Sequence, residues 1–167
     1  MVRNAPTLAD DPVLIVEYSL PLEVDYPHNI ATGSDGNLWF TYGGGIGRIT
    51  PQGAVLSYQT RRSQGNGTIT AGPEGDANVW YTAYDFKDGE AIIGRITPAG
   101  KITEFGWPSS GIPSDIIAGP DGNLWFTSLE GIGRMMPNGA YTMFGVPAGD
   151  ITAGPDRNLW FIHGSLT

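Results

Sequence analysis

The chain has 167 residues, no cysteine and a formal net charge of −8. That is enough length for one domain with a real core, and it leaves no means of making disulfides or thiolate metal sites. Its nine Lys and Arg residues are scattered rather than gathered into a stripe, which argues against a nucleic-acid backbone as partner.

Residues 1–11 are polar and expected to form a loose N-terminal tail. They hold no hydrophobic stretch, so no signal peptide is visible. No apolar run in the chain is long enough to span a bilayer, so no membrane partner is expected. A soluble protein of open compartment is the expectation. Residues 12–29 follow as an outer strand, Val13 to Leu20, ended by Pro21, and a linker, Leu22 to Asn29.

Four copies of one stretch organise the rest. They begin at Ile30, Ile69, Ile116 and Ile151, and the clearest runs from Ile116 to Thr127. Self-similarity at such a period fixes the architecture before any single motif is weighed. Each copy opens with a short strand of small residues, such as Asn29 to Gly33, suited to a crowded inner position. A turn follows, as in Ser34-Asp35-Gly36-Asn37 or Pro120-Asp121-Gly122-Asn123, where Asp-Gly and Pro-Asp favour tight reversal. In the last copy Arg157 replaces the glycine. The second strand, Leu38-Trp39-Phe40-Thr41 and its relatives, is apolar at consecutive positions, so both faces should be covered.

The third strand carries Ile46-Gly47-Arg48, Ile93-Gly94-Arg95 or Ile132-Gly133-Arg134 and ends in a Pro-x-Gly turn. The fourth, as in Ile102-Thr103-Glu104-Phe105, is the outer one. No segment shows a helical apolar period. Four-stranded repeats covered on both faces predict an all-β β-propeller. The blades are expected at residues 30–68, 69–115 and 116–150, with the first half of a fourth at 151–167. With the leading outer strand that makes fifteen strands. The 25 glycines and 13 prolines sit at fixed offsets in this repeat and read as periodic turns.

The unit I-x-A-G-P-D-G-N-L-W-F-T, followed by I-G-R-I-T-P-x-G and T-E-F, resembles the repeat of the virginiamycin B lyase (streptogramin lyase) family of propellers. The resemblance covers about residues 13–163. It implies a ring of seven blades, about twice this length. It therefore implies either a half-propeller that pairs with a second copy, a homodimer closing a ring, or missing blades of a longer chain. A symmetric closed ring fits the general preference for point-group assemblies.

Function in a propeller is expected at the starts of the inner strands and in the loops between strands two and three, which share a face. His28, in Pro27-His28-Asn29-Ile30, matches the family's P-H-G-I step. The resemblance implies an imidazole general base there, and histidine has the pKa for it; the plainer reading is a histidine that bonds the loop backbone. The family also implies carboxylates around Mg²⁺, a cation that wants hard oxygen ligands. The matching positions are Tyr26 on one side and Tyr42, Ala83, Ser128 and His163 on the other, none of them an acid. The carboxylate set is thus absent from the expected steps.

Other candidate ligand contacts lie on the same face. Asp115 and Asp150 each precede an inner strand and either line the channel mouth or cap a turn. The loop Tyr84 to Glu90 is longer than its counterparts, and its Asp85, Asp88 and Glu90 form either a binding rim or a solvated surface. His163 ends the last second strand, as a channel group or a plain rim histidine. Three functions follow as expectations. One is a non-catalytic propeller binding a small molecule in its channel. Another is a carbon-oxygen lyase opening a cyclic depsipeptide such as streptogramin B, with His28 as base and Mg²⁺. The third is a self-assembling scaffold.

Overall fold

In the computed structural model, residues 2–4, 14–61, 67–85, 89–107 and 111–163 are described. Three complete antiparallel sheets of four strands stand in chain order. The first comprises β3 (Ile30–Thr32), β4 (Leu38–Tyr42), β5 (Gly45–Ile49) and β6 (Val55–Gln59). The second comprises β7 (Ile69–Ala71), β8 (Val79–Asp85), β9 (Glu90–Ile96) and β10 (Ile102–Gly106). The third comprises β11 (Pro113–Ala118), β12 (Leu124–Ser128), β13 (Gly131–Met135) and β14 (Tyr141–Phe144). In each, consecutive strands are neighbours, as in a propeller blade. A two-stranded sheet, β15 (Ile151–Ala153) with β16 (Leu159–Phe161), begins a fourth. The described residues contain no helix, and none is long and apolar enough to cross a membrane.

The N-terminus differs from expectation. The leading outer strand is shorter, β2 (Leu14–Val16), and it pairs with β1 (Val2–Asn4), inside the stretch expected to be loose. The described residues therefore hold sixteen strands, one more than the fifteen expected. β1 takes the place of a third strand and β2 of a fourth. The sequence carries a signal for this: Arg3 stands three residues before Pro6, as Arg48, Arg95 and Arg134 stand before Pro51, Pro98 and Pro137.

The turn between the first two strands of each blade is built by one aspartate. Asp35 accepts from the Asn37 backbone N–H, the Asn37 side-chain amide and the Trp39 indole N–H, at 3.1, 2.8 and 3.1 Å. Asp76, Asp121 and Asp156 hold Asn78 and Trp80, Asn123 and Trp125, and Asn158 and Trp160 in the same way. The chain reverses through Gly36 and Gly122 at φ 76°, and Arg157 adopts the same left-handed conformation at φ 63°. For a residue with a Cβ that costs about 1–2 kcal/mol.

The cores lie between blades. Trp39 and Ile46 pack on Ile69, Val79, Tyr81 and Ile96 of the next blade. Trp80 and Ile93 pack likewise on Ile116, Leu124 and Phe126. On the third strands, Gly47, Gly94 and Gly133 let the rings of Phe40, Tyr81 and Phe126 lie across the backbone. A Cβ at any of these positions would collide with the ring carbons. The arginines bridge blades: Arg48 donates to the Pro98 carbonyl at 2.7 Å and Arg95 to the Pro137 carbonyl at 2.9 Å. On each fourth strand an aromatic ring stacks on its blade's tryptophan, as Tyr58 on Trp39 and Phe105 on Trp80. The same ring covers the Pro-x-Gly glycine of the following blade, Tyr58 over Gly100 and Phe105 over Gly139. Tyr18 sits on Gly53 in the same manner, which places the segment after β2 on blade 1 as a preceding outer strand would be.

Candidate functional site

The starts of the inner strands are tied to the ends of the second strands, and His28, Asp115, Asp150 and His163 each stand at one of these steps. At the first blade the His28 N–H donates to the Thr41 carbonyl at 2.9 Å, and the Thr41 N–H donates to the Asn29 carbonyl at 2.9 Å. The Asn29 amide and the Thr41 hydroxyl both donate to the Gly67 carbonyl of the next blade, at 3.2 and 2.9 Å. His28 is exposed, and its imidazole makes no hydrogen bond among the described residues, so the backbone fixes its position and leaves the ring open to a ligand.

Tyr42 is 5% exposed and packs with Val24 and Phe40. Burial pushes its hydroxyl up, a hydrogen bond with Ser57 works the other way, and the charges of Glu23 and Asp25 add to the rise. It is a core residue whose phenol end meets polar neighbours, not an open ligand contact. Tyr26 is exposed and holds a left-handed φ of 46°.

At the third blade Asp115 links two blades. One carboxylate oxygen accepts from the Ile116 N–H at 2.8 Å and the other from the Ile151 N–H of the following inner strand at 3.2 Å. Burial raises its carboxyl above the usual aspartate value. The two N–H donors oppose that, and the nearby Asp150 charge adds to the rise. Its two oxygens thus hold backbone N–H groups at the starts of two successive inner strands. Thr127, opposite it across the ladder, is fully buried and its hydroxyl has no partner. Asp150 is exposed, and its carbonyl accepts from the Ile162 N–H at 3.0 Å. His163 is exposed, with Nδ1 2.8 Å from the Pro147 carbonyl. A carbonyl only accepts, so Nδ1 carries the proton there and Nε2 is left as the acceptor.

The second blade's loop is shorter than the sequence suggested. Strands β8 and β9 extend past their counterparts and take up Tyr84, Asp85 and Glu90, with Asp85 directly opposite Glu90 in the ladder. Like charges in that position weaken a hairpin end. Asp88 lies outside the described residues. A cavity of about 370 Å³ lined by Gln59, Arg61, Ile102 and Glu104 lies instead by the outer strands β6 and β10, across the blades from the inner tier.

Mg²⁺ is poorly matched by the residues present. Tyr26 and Tyr42 offer phenols at the two steps where carboxylates are implied, and Tyr42 is buried. Among the described residues no three His, Asp or Glu side chains converge as a metal site needs.

A repeat of four-stranded antiparallel sheets, with cores between them and candidate groups at the inner-strand starts, defines an arc of a β-propeller. The chain matches the virginiamycin B lyase family over residues 13–165 and belongs to it. The solved structures it resembles include selenomethionine-substituted virginiamycin B lyase from Staphylococcus aureus. That likeness has 31% identity and a TM-score of 0.75, covering 97% of this chain and 56% of that one. A catalytically inactive histidine-to-alanine variant of the same lyase, with quinupristin, matches at 33% identity and a TM-score of 0.76, over 91% and 53%. A streptogramin B lyase matches at 30% and 0.74, over 89% and 51%. The chain thus spans about half the length of these relatives. A search of curated proteins finds no match.

Proposed function

We propose that this chain acts as a non-catalytic propeller scaffold that binds a small molecule at the channel-side tier formed by His28, Asp150 and His163. The observation that carries this reading is the pair of tyrosines, Tyr26 and Tyr42, standing where the family resemblance implies acids. An elimination needs a base and something to stabilise the developing anion. His28 can supply the first, and the described residues offer no carboxylate set for a cation to supply the second. Exposed imidazoles and a carboxylate at a ring of inner strands still suit hydrogen-bonding recognition of a ligand.

One observation favours a second reading, a lyase acting on a cyclic depsipeptide. The His28 ring is exposed and unengaged, as a general base must be before substrate arrives. Quinupristin, present with a structural relative, is the probe that separates the two. Calorimetry should show saturable binding, weakened in His28→Ala and Asp150→Ala, while chromatography shows the ring intact with and without added Mg²⁺. Ring opening that disappears in His28→Ala or with a chelator would overturn the non-catalytic reading in favour of the lyase. Absence of any binding heat would overturn the choice of this tier.

A further inference from the structure

The repeat departs from itself on one face of blade 2. A single row of residues runs across each blade from the second strand to the fourth. In blade 1 it is Phe40, Gly47 and Ser57, and in blade 3 Phe126, Gly133 and Met143. In blade 2 the row is Tyr81, Gly94 and Glu104. Packing asks only for a ring at the first position, as Phe40 and Phe126 show. Blade 2 adds a phenol at one end and a carboxylate at the other. The Tyr81 ring lies across Gly94, so its hydroxyl points along the row towards Glu104. Burial raises the pKa of that hydroxyl and the Glu104 charge raises it further, which places the two groups near each other. The hydroxyl is buried without a hydrogen-bond partner, whereas buried polar groups generally have one.

The outer end of this row opens onto the cavity of about 370 Å³ between β6 and β10. Both of its walls belong to complete blades. Glu104 and Ile102 come from blade 2 and share a face, because they stand two residues apart on one strand. Gln59 and Arg61 come from blade 1. The Arg61 backbone N–H donates to one Glu104 oxygen at 3.1 Å. The other oxygen is left to accept. Gln59 and Arg61 are exposed, and among the described residues the Gln59 side-chain amide and the Arg61 guanidinium make no hydrogen bond. The cavity therefore holds a carboxylate, a guanidinium that is not paired with it, an amide and one aliphatic wall. Its volume falls within the range of small-molecule sites, about 300–1,000 Å³.

We propose that this crevice binds a small zwitterion, a free α-amino acid with an aliphatic side chain. Its ammonium group donates to the open Glu104 oxygen, and its carboxylate accepts from the Arg61 guanidinium. The Gln59 amide can serve either group, and the side chain lies on Ile102. Opposite charges set in one small space suit a ligand that carries both, because a singly charged one leaves a protein charge unanswered. Tyr81 is a positioning residue: it does not line the cavity and acts on the ligand's ammonium end through Glu104. This inference concerns the outer rim and does not rest on what the channel tier binds.

The probe is L-leucine, titrated into the full chain while its amide and methyl NMR signals are followed. Signals of Arg61, Ile102 and Glu104 should move saturably, and those of His28 and His163 should stay in place. Isoamylamine and isocaproate, which each lack one of the two charges, should bind about tenfold more weakly. Glu104→Gln and Arg61→Ala should each weaken leucine binding by about tenfold, with the rest of the spectrum unchanged. Tyr81→Phe should weaken leucine and isoamylamine but not isocaproate, a split that a purely structural role would not produce. No movement at Ile102 and Glu104 up to the solubility limit of leucine would overturn the proposal. So would equal affinity for the three probes, or unchanged leucine binding in both charge variants. Movement confined to His28 and His163 would also sink it, because the amino acid would then lie in the channel. If a variant does not fold, the ranking of the three probes on the unsubstituted chain still decides.

Discussion

Trp80 and Trp160 occupy the same place in the repeat and meet opposite surroundings. Both indoles donate to the aspartate four residues before them, at 2.7 and 3.2 Å. Trp80 also lies beneath Arg95, 5.6 Å from the guanidinium, and against Phe105 at 5.7 Å, and is fully buried. Trp160 is 60% exposed. The turn and its aspartate clasp are local, and they form whether or not a neighbour arrives. Burial belongs to the interface and appears only where the following strands are present. In a repeat architecture the unit of stability is therefore the contact between blades as much as the blade itself.

Substituting the two tryptophans gives the widest contrast. Trp80→Ala should cost about 3–5 kcal/mol in urea unfolding, as for a buried aromatic. Trp160→Ala should cost about 0.5 kcal/mol in dilute protein, as for a surface position. The arginines sharpen the contrast at smaller scale. Arg95→Ala removes a charged donor from the Pro137 carbonyl and should cost about 1.5–3 kcal/mol. Arg134→Ala, with only its distant Asp121 pair, should cost about 0–1 kcal/mol. Equal losses would mean the inter-blade bond contributes nothing of its own.

Tyr81 offers a substitution of opposite sign. It is 1% exposed, and its hydroxyl has no hydrogen-bond partner, while Phe40 and Phe126 fill the same position in the neighbouring blades. Burial pushes the hydroxyl well above the usual tyrosine range, with the Glu104 charge adding to it. Tyr81→Phe should raise stability by about 1 kcal/mol, read from the urea midpoint. A loss would reveal a partner for the hydroxyl in solution.

The smallest effects are those of pH, and they separate the clasp from the blade junction. Burial pushes Asp121 up, but the Asn123 and Trp125 donors outweigh it and hold its carboxyl below the usual range. Its contribution is present above about pH 3.9 and lost as the pH falls through the lowered value. Asp115 is raised, so its contribution is complete below about pH 3.9 and lost as the pH rises through the raised value. Asp121→Asn and Asp115→Asn should therefore change the slope of stability against acid pH in opposite directions.

The repeat made the fold legible. Strand order and turns could be taken from four aligned copies. The same alignment puts Trp39, Trp80, Trp125 and Trp160 all in the core, which holds for Trp39 and Trp80 and fails for the exposed Trp160. The partner of each indole was also present in the sequence, as an aspartate four residues earlier, yet it reads there only as a turn former. β1 was hidden because nine residues, 5–13, separate it from β2, where the complete blades use a short Pro-x-Gly turn. The site was less legible for a physical reason. Position alone puts Tyr42 at the channel tier, but an aromatic ring there is drawn into the apolar space between blades. Asp115 looks like a free acid until the next inner strand brings the Ile151 N–H to it. Asp85 and Glu90 looked like loop residues because the ladder's extra length depends on pairing, which composition does not report.

The aromatic rings on Gly53, Gly100 and Gly139 bear on how such a chain can change by descent. Each glycine answers to a ring encoded about one repeat earlier, Tyr18, Tyr58 or Phe105. A duplication that copies whole blades preserves every such pair, because donor and receiver are copied together. A substitution at one of these glycines is judged instead by the blade before it. Drift in this chain should therefore run in steps that cross blade boundaries, with ring and glycine changing together or neither changing.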